Sequence, residues 1–245
     1  MATFTIITCT YNAAGTLAAT LESVAGQTEQ PLEHIVMDGA SPDGTAEIAR
    51  AFKERHRAGY LRVVSEPDKG LYHAMNKGLE EARGDYLVFL NAGDTLPSPS
   101  TLATLSALAE DSGTPGVLYG NTDIVDASGK FVRHRRLSPP ARLTWKSFRQ
   151  GMLVCHQAFY ARTDIARSTP YDTRYRFSAD FDWCVRVLKK AGPAAGTEAV
   201  VANYLEEGLT TQNHRKSLAE RFHIMCRHYG IATTAIMHLW FVIRR

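Results

Sequence analysis

The sequence predicts an α/β fold in which helices flank a mostly parallel sheet. Three observations lead to this expectation. Short apolar runs alternate with helical patterns four times within residues 1–95. The runs are nearly continuous, as in strands that are buried on both faces. A polar cluster follows each run, and parallel strands gather such clusters at one edge of the sheet, where ligands bind in this architecture.

The first strand and helix follow from short-range periodicity. Residues 4–9 form an apolar run, and Leu17, Leu21 and Val24 then recur on one face of a helix. Residues 35–37 form the second apolar run. The predicted order is therefore strand, helix, strand.

The second helix is predicted from its start signals. Ser41 is the expected N-cap and Pro42 the expected first helical residue, a position that proline favours. Ile48 and Phe52 supply an apolar stripe, and residues 61–64 form the third strand. The second helix is thus expected to begin within the polar cluster that follows strand two.

A third helix and a fourth strand complete the regular half. Residues 71–83 predict a helix that ends at Gly84, and residues 86–90 predict a buried strand that stops at the polar residues 91–94.

The second half is less regular. Its expected elements are a strand at 117–119, a hairpin around 127–129, a break at 139–140, a strand near 158–160, a helix after Asp180, a strand over 197–204 and an amphipathic helix over 214–229.

The formal charge of +3 conceals an asymmetry between the two halves. Residues 1–126 carry 8 Lys and Arg against 17 Asp and Glu, whereas residues 127–245 carry 20 against 8. Residues 127–149 alone hold seven basic side chains and no acid. Anionic lipid, phosphorylated ligands and nucleic acid are candidate partners for such a surface, and a solvated basic face is the alternative.

Several protein classes are excluded by what the sequence lacks. Its four cysteines have no C-x-x-C spacing, which fits a reducing cytoplasm better than a disulfide framework or a zinc site. No secretory signal is visible, and no apolar run reaches the roughly 18 residues of a membrane span. The dinucleotide fingerprint, the P-loop and the zinc protease and serine hydrolase motifs are absent. We therefore expect a cytoplasmic protein that uses carboxylates at strand ends.

Four strings at the predicted strand ends carry the functional signal. They read TCTYN at 8–12, DGASPDGT at 38–45, DKGLYHAMNKG at 68–78 and LNAGD at 90–94. In this order and spacing the chain resembles the family 2 inverting glycosyltransferases, of the branch found in bacterial exopolysaccharide and colanic-acid-type gene clusters. The likeness is dense over residues 3–95 and continues through CHQ at 155–157 and FSADFDW at 177–183. It implies the GT-A fold, a nucleoside-diphosphate sugar donor, a divalent metal (magnesium or manganese) and inversion at the anomeric carbon.

The resemblance assigns the donor site to the strand ends. Asp38 matches the family aspartate that holds the base or ribose, while an Asx-type turn before Gly39 is the alternative. Tyr11 would offer a ring for base stacking, and Lys69 a point charge for a phosphate. The full set of implied donor contacts is Thr8, Tyr11, Asn12, Asp38, Asp68, Lys69, Asn76, Asn91, Ala92, Gly93 and His156.

Asp94 matches the last acid of the family's metal-binding D-x-D region. A metal there bridges the donor's diphosphate and neutralises its charge as it departs. Asn91 and Gly93 stand at the preceding acid positions, so only one carboxylate is offered and strict metal dependence stays open. Without the resemblance, Asp94 is an ordinary loop residue.

Asp180 matches the family's catalytic base. Inversion requires a base within about 3 Å of the attacking hydroxyl. An N-cap of the helix that follows is the alternative role for Asp180, and Asp182 is its local rival for the base. His156 and Gln157 match a pair that touches the diphosphate or the acceptor, while a structural role is the alternative for the histidine.

We therefore expect one GT-A domain over residues 1–245. Residues 1–95 form its nucleotide-sugar-binding half, 96–230 its acceptor and catalytic half, and 231–245 an apolar and basic tail. The expected activity is hexosyl-type transfer to a saccharide acceptor, favoured as lipid-linked, in bacterial polysaccharide biosynthesis. A sugar nucleotidyltransferase and a catalytically silent nucleotide- or anion-binding module are the alternatives, and nucleic acid is not an expected partner.

The tail predicts a peripheral membrane contact. Thirteen residues, 231–243, are too few to cross a bilayer as a helix but can lie in its surface, with Trp240 at the headgroup level. This contact would place the protein at the inner face of the cytoplasmic membrane. Packing on the domain, or a contact in a homodimer, is the alternative. The basic residues expected to face anionic lipid are Arg215, Lys216, Arg221, Arg227, Arg244 and Arg245.

Overall fold

A computed structural model describes residues 1–206 and 214–243 of the chain. Its strands are β1 (Phe4–Thr10), β2 (Glu33–Asp38), β3 (Leu61–Ser65), β4 (Tyr86–Phe89), β5 (Val117–Val125), β6 (Phe131–His134), β7 (Phe159–Arg162) and β8 (Ala194–Leu205). They form one sheet in the order β3-β2-β1-β4-β7-β5-β6, with β8 beside β5. The first four strands are parallel, and β7 joins β4 in antiparallel orientation. The predicted α/β class is confirmed.

Helices cover both faces of this sheet. They are α1 (Leu17–Ala25), α2 (Thr45–His56), α3 (Leu71–Glu81), α4 (Thr101–Asp111), α5 (Thr163–Arg167), α6 (Ala179–Lys190), α7 (His214–Tyr229) and α8 (Ile231–Ile243). Val36 of β2 packs with the apolar stripes of α1 and α2, whereas its neighbours Ile35 and Met37 belong to the main core. Successive residues of a strand point to opposite faces, so β2 is covered on both sides.

The start of α2 differs from the prediction. The helix begins at Thr45, after Gly44 with a φ of +85°, and not at Pro42. Ser41 is not an N-cap, because its hydroxyl donates a hydrogen bond to the carboxylate of Asp38 at 2.5 Å. The polar cluster after β2 is therefore a folded loop and not the first turn of a helix.

Other boundaries shift by a few residues, and two helices were not predicted. The third helix stops at Glu81 instead of Arg83, and the last strand begins at Ala194 instead of residue 197. Helices α4 and α5 fall in stretches for which no element was expected. The amphipathic helix over 214–229 is confirmed as α7.

Helix α6 is anchored to the sheet by aromatic rings. Trp183 is fully buried and lies edge-on to Phe89 of β4 and Phe159 of β7, at centroid distances of 5.8 and 5.7 Å. Tyr171 stacks on the same indole at 4.9 Å. Such aromatic pairs stabilise beyond the area they bury. The first turn of α6, which carries Asp180, is thereby held against the sheet.

The C-terminal tail is helical as far as the structure describes it. Helix α8 follows α7 directly through Gly230, whose φ is +84°. Among residues 1–206 and 214–243, no helix is both long and apolar enough to span a membrane. Arg244 and Arg245, predicted to face lipid, lie outside the described residues, as does the side chain of Arg215.

Candidate active site

Asp38 is buried at the end of β2 and accepts four hydrogen bonds from the protein. Thr10 Oγ1 and Ser65 Oγ donate to its carboxylate at 3.0 and 2.7 Å. The N–H and the hydroxyl of Ser41 donate at 3.0 and 2.5 Å. Burial opposes ionisation of Asp38, but these hydrogen bonds outweigh it and lower the pKa. The carboxylate thus closes the loop after β2, which is the turn role that the sequence left open.

Tyr11, Gly39 and Asp68 meet where β1, β2 and β3 end. A Cβ on Gly39 would lie 3.4 Å from Cδ2 of Tyr11 and 3.7 Å from Oδ2 of Asp68. Tyr11 is 66% exposed, so its ring borders open space. Oδ1 of Asp68 accepts from Lys77 Nζ at 2.7 Å and from His73 Nδ1 at 3.0 Å. Oδ2 of Asp68, the oxygen beside Gly39, takes part in neither of these two contacts.

Thr8 is buried within the sheet, below the crevice. Its Oγ1 lies 2.8 Å from Nε2 of His34 on β2. Burial lowers the pKa of His34 to about 3, so the imidazole is neutral in the folded protein. This contact joins β1 to β2 and supports the loops above it.

Three other predicted donor residues occupy different places. Asn12 has a φ of +54°, and its N–H donates to Ser41 Oγ at 3.0 Å. Asn76 pairs with the backbone of Tyr171, since Nδ2 donates to the carbonyl at 3.0 Å and Oδ1 accepts from the N–H at 2.7 Å. Lys69 is exposed at the edge of the crevice. Asn12 therefore shapes a loop, and Asn76 links the first half of the chain to the second.

Asp94 is buried just beyond β4. Its Oδ1 accepts from the N–H of Leu205 at 2.9 Å, and its Oδ2 accepts from Nε2 of Gln157 at 2.7 Å. Burial raises the pKa of Asp94 to about 6, and these two hydrogen bonds offset only part of the penalty. A buried carboxylate of this kind favours a nearby positive charge.

The backbone before Asp94 is folded tightly around glycine. Gly93 has a φ of +97°, and a Cβ there would lie 2.6 Å from Cδ2 of Leu205. Its N–H donates to Thr20 Oγ1 at 2.9 Å. Ala92 packs against the apolar cluster of α1 and α2. The conformation therefore requires glycine at position 93, one of the two positions where the sequence resemblance predicts an acid.

Asn91 and Asp94, which follow β4, supply some of the oxygen ligands that a hard cation needs. Oδ1 of Asn91 is buried and has no hydrogen-bond partner in the described part of the chain. Each carboxylate oxygen of Asp94 accepts one hydrogen bond and keeps a lone pair. Among residues 1–206 and 214–243, no group of three or more His, Cys, Asp or Glu side chains is arranged to hold a metal. Oxygen donors of this type suit magnesium or manganese if a diphosphate and waters supply the remaining ligands.

Asp180 lies in the first turn of α6 and is not its N-cap, which is Ser178. The hydroxyl of Tyr72 donates to Oδ1 at 3.3 Å, and Nδ1 of His156 lies 3.5 Å from Oδ2. The side chain is 23% exposed, so it can be reached from the crevice. Burial opposes its ionisation, but His156 and then Arg221 outweigh it and lower the pKa of Asp180. The carboxylate is thus ionised and accessible, as a general base must be.

Two consecutive residues join Asp180 to the end of β4. Nε2 of His156 lies 3.2 Å from Nδ2 of Asn91, while Nδ1 faces Asp180. Gln157, the next residue, is fully buried and donates to Asp94. The His-Gln pair therefore contacts the predicted metal region and the predicted base at the same time.

Asp182 does not reach the crevice. It is fully buried, and its two oxygens accept from Arg186 Nε at 2.5 Å and from His228 Nε2 at 2.8 Å. His228 belongs to α7, so this carboxylate binds α6 to α7. The structure favours Asp180 over Asp182 as the group that faces a substrate.

Sequence reasoning missed the site residues that come from α7. Arg221, expected to face lipid, instead packs over the ring of Phe181 at 5.6 Å and acts electrostatically on Asp180. Glu220 accepts hydrogen bonds from the turn that precedes α6. The apolar periodicity of residues 214–229 predicts the helix but not which of its polar side chains turn toward the site.

Comparison with protein families and curated proteins gives a consistent result. The model of the family described as Glycosyl transferase family 2 matches residues 5–168. A PGL/p-HBAD biosynthesis glycosyltransferase from Mycobacterium bovis is 36% identical over 209 residues, which cover 84% of this chain and 77% of that protein. A Mycobacterium tuberculosis protein of the same description aligns with equal identity and coverage.

Solved structures resemble the chain in fold. S. aureus TarS 1–349 in complex with UDP-GlcNAc superposes with a TM-score of 0.72 and 16% identity, covering 96% of this chain and 70% of that one. A mannosyltransferase from Pyrobaculum calidifontis in complex with GDP-Man and Mn²⁺ gives 0.68 and 22%, covering 96% and 74%. These likenesses confirm the predicted GT-A fold class.

We expect His34→Gln to make the free energy of unfolding depend less on pH below neutrality. Because burial lowers the pKa of His34 to about 3, the unfolded chain binds the proton first as the pH falls. The stability from neutral His34 is full above about pH 6.5 and is lost as the pH falls toward 3. In urea denaturation, the free energy of unfolding should fall between pH 7 and pH 4 by about 3 kcal/mol more in the wild type than in His34→Gln.

The matched control for that measurement is His223→Gln, at an exposed position on α7. It should keep the wild-type dependence on pH. Equal slopes for wild type and His34→Gln would show that His34 is not held neutral.

Proposed function

Because the chain belongs to glycosyl transferase family 2, we propose that it moves a hexosyl group from a nucleoside-diphosphate sugar to an acceptor hydroxyl, with inversion at the anomeric carbon. The position of one side chain, His156, carries the proposal. The ring of His156 lies 3.2 Å from the Asn91 amide at the donor motif and 3.5 Å from the Asp180 carboxylate. No contact in the described residues favours a sugar nucleotidyltransferase or a silent binding module over transfer.

The donor's nucleotide lies over the ends of β1, β2 and β3 in this proposal. The base stacks on the exposed ring of Tyr11, and Oδ2 of Asp68 accepts an N–H or O–H of the nucleoside. Asp38 acts indirectly by holding Ser41, and Lys69 meets a phosphate. The complexes of S. aureus TarS with UDP-GlcNAc and of the P. calidifontis enzyme with GDP-Man support a nucleoside-diphosphate sugar as donor.

Asp180 is the base in this mechanism. The acceptor oxygen attacks the anomeric carbon from the face opposite the diphosphate, and Asp180 takes the hydroxyl proton. The lowered pKa of Asp180 keeps the carboxylate in its proton-accepting form at neutral pH. Tyr72 and His156 hold its two oxygens in one orientation, which limits the entropy lost on reaching the reactive geometry.

Asp94 and Asn91 are the residues that would hold a divalent metal. The metal would neutralise the charge that develops on the departing diphosphate. Gln157 orients Asp94 by its hydrogen bond at 2.7 Å, as outer partners of metal ligands commonly do. The Mn²⁺ in the P. calidifontis complex supports this assignment.

A lipid-linked saccharide is the proposed acceptor. Support comes from the relatives described as PGL/p-HBAD biosynthesis glycosyltransferases. The setting in bacterial exopolysaccharide synthesis is a prediction from the resemblance of the sequence motifs.

The exposed face of α8 supports a membrane surface as partner. Its side chains are apolar and lie at helical spacing, and they are Ile231, Ala232, Ala235, Ile236, Leu239, Trp240 and Ile243. The helix also contacts the 3₁₀ turn Trp145–Gln150, which carries the exposed cations Lys146 and Arg149. An apolar face with cations beside it fits the interface of an anionic bilayer.

Asp180→Asn should abolish transfer and leave donor affinity nearly unchanged. The amide keeps the shape and can still accept from Tyr72, but it cannot take the proton. We expect kcat to fall by about 10²-fold to 10⁴-fold. The measurement is nucleoside diphosphate release with acceptor present, beside calorimetric titration of the donor. Asp111→Asn, exposed on α4, is the matched control and should be neutral. Retained turnover in Asp180→Asn with loss in Asp182→Asn would move the role to Asp182.

Magnesium or manganese should strengthen nucleoside diphosphate binding through Asp94. Without a cation, the diphosphate is repelled by a buried carboxylate. Titration calorimetry with UDP and with GDP, each with and without metal, measures the enhancement. Asp94→Asn should lose it, and Gln157→Leu should weaken it by about tenfold to a hundredfold. If Asp94→Asn keeps the wild-type metal dependence, Asp94 is not a ligand.

Replacing the apolar face of α8 should release the protein from anionic vesicles. The variant carries Ile236→Gln, Leu239→Gln and Ile243→Gln, all at exposed positions where folding is little affected. Co-sedimentation with phosphatidylglycerol vesicles should drop to the level seen with phosphatidylcholine. A control with Leu32→Gln, Phe131→Gln and Val132→Gln alters three exposed apolar residues elsewhere. Equal vesicle binding by both variants refutes lipid docking, and a dimer that only the α8 variant loses would assign the face to a second copy.

A further inference from the structure

The turn that leads into α6 is held by a single carboxylate from another helix. Glu220 of α7 accepts from the N–H of Arg176 at 2.9 Å, of Phe177 at 2.7 Å and of Ser178 at 3.0 Å. Three successive backbone donors thus converge on one side chain. Asp180 follows only two residues later.

A buried serine pair makes a second contact at the same place. The hydroxyl of Ser178 donates to the carbonyl of Ser217 at 3.1 Å and lies 3.0 Å from its Oγ. Ser178 is the N-cap of α6, yet its side chain makes no capping hydrogen bond. The entry to α6 is therefore organised by α7, and not by the local capping that is usual at a helix start.

The neighbouring side chain of α7 faces the base itself. Arg221 packs over Phe181 at 5.6 Å, and its charge favours the ionised form of Asp180. At the far end of α7, His228 donates to Asp182 at 2.8 Å. Helix α7 is thus bound along α6, with an anion on the turn before Asp180 and a cation over the ring of Phe181, the residue after Asp180.

We propose that Glu220 is a positioning residue for Asp180, acting through the backbone of residues 176–178 and touching no substrate. The inference rests on the proposed role of Asp180 as base. Losing one acceptor oxygen leaves donors of the turn unpaired, and the turn then shifts to satisfy them. Because proton transfer depends steeply on distance, a shift of about 1 Å at Asp180 costs up to about a hundredfold in rate.

A double-mutant cycle tests the proposal. Glu220→Gln keeps the shape of the side chain but offers one acceptor oxygen and turns an amide donor toward backbone donors. We expect kcat to fall by about tenfold to a hundredfold, with the donor Kd changed less than about twofold. Glu80→Gln, the same change at an exposed position on α3, should keep the wild-type kcat.

The second arm repeats the substitution in Asp180→Asn. If Glu220 acts only through the base, Glu220→Gln lowers the residual rate of Asp180→Asn no further, while it lowers Tm equally in both backgrounds. That pattern separates positioning from a general loss of structure. Equal fold losses of kcat in both backgrounds overturn the proposal, and so does an unchanged kcat in Glu220→Gln.

Two further results are read in the same assay. Full activity in the single variant Asp180→Asn refutes Asp180 as the base. This outcome is distinct from equal losses of kcat caused by Glu220→Gln in both backgrounds, which refute positioning by Glu220. If Glu220→Gln does not fold, Glu220→Asp replaces it, because it keeps the charge and shortens the reach. A loss of kcat in Glu220→Asp that disappears in the Asp180→Asn background supports positioning, and a loss that persists there overturns it.

Discussion

The site depends on two consecutive side chains of the 3₁₀ turn His156–Ala158, which extend toward different partners. Gln157 donates to Asp94, and His156 lies between Asn91 and Asp180. The residues they join belong to the end of β4 and to the start of α6, which are far apart in sequence. Breaking the Gln157–Asp94 hydrogen bond leaves a buried polar group unpaired, which costs about 1–3 kcal/mol. The turn therefore links the residues that follow β4 to the first turn of α6.

In this arrangement the pKa values of a buried carboxylate, Asp94, and a partly buried one, Asp180, shift in opposite directions. Burial penalises the charge of both, but Asp94 has only neutral donors at contact distance and its pKa rises to about 6. Asp180 faces His156, and the charge of Arg221 also acts on it, so its pKa falls. When their surroundings push the pKa values of two similar groups apart, the groups take different roles in an active site. Asp94 is the carboxylate that gains most from a cation, and Asp180 is the one ready to accept a proton.

Short-range pattern predicted the first half of the fold well, because buried strands and amphipathic helices are visible in consecutive residues. It failed at Ser41, because the Ser41 hydroxyl donates a hydrogen bond to Asp38 instead of capping α2. That contact exists only once β2 and the loop after it have folded together. The motif residues of the site were predicted through resemblance. Glu220 and Arg221 were not, because their partners lie some forty residues away and no local pattern records which polar face of α7 turns inward.

Helices α7 and α8 follow each other directly but present different side chains. Polar side chains of α7 turn toward α6, whereas apolar side chains of α8 are exposed. In α8 the polar residues Thr234 and His238 lie inward, where Thr234 Oγ1 donates to the Gly230 carbonyl at 2.8 Å and His238 Nδ1 donates to the Thr234 carbonyl at 3.0 Å. Oγ1 of Thr234 and Nδ1 of His238 are thus satisfied by backbone carbonyls, and Met237 and Phe241 pack partly buried against the main core. Ile236, Leu239 and Ile243 face outward, whereas a water-facing helix ordinarily has a polar outer face. The same segment that presents an apolar face to its surroundings therefore also holds, through Glu220, the turn that precedes the proposed base Asp180.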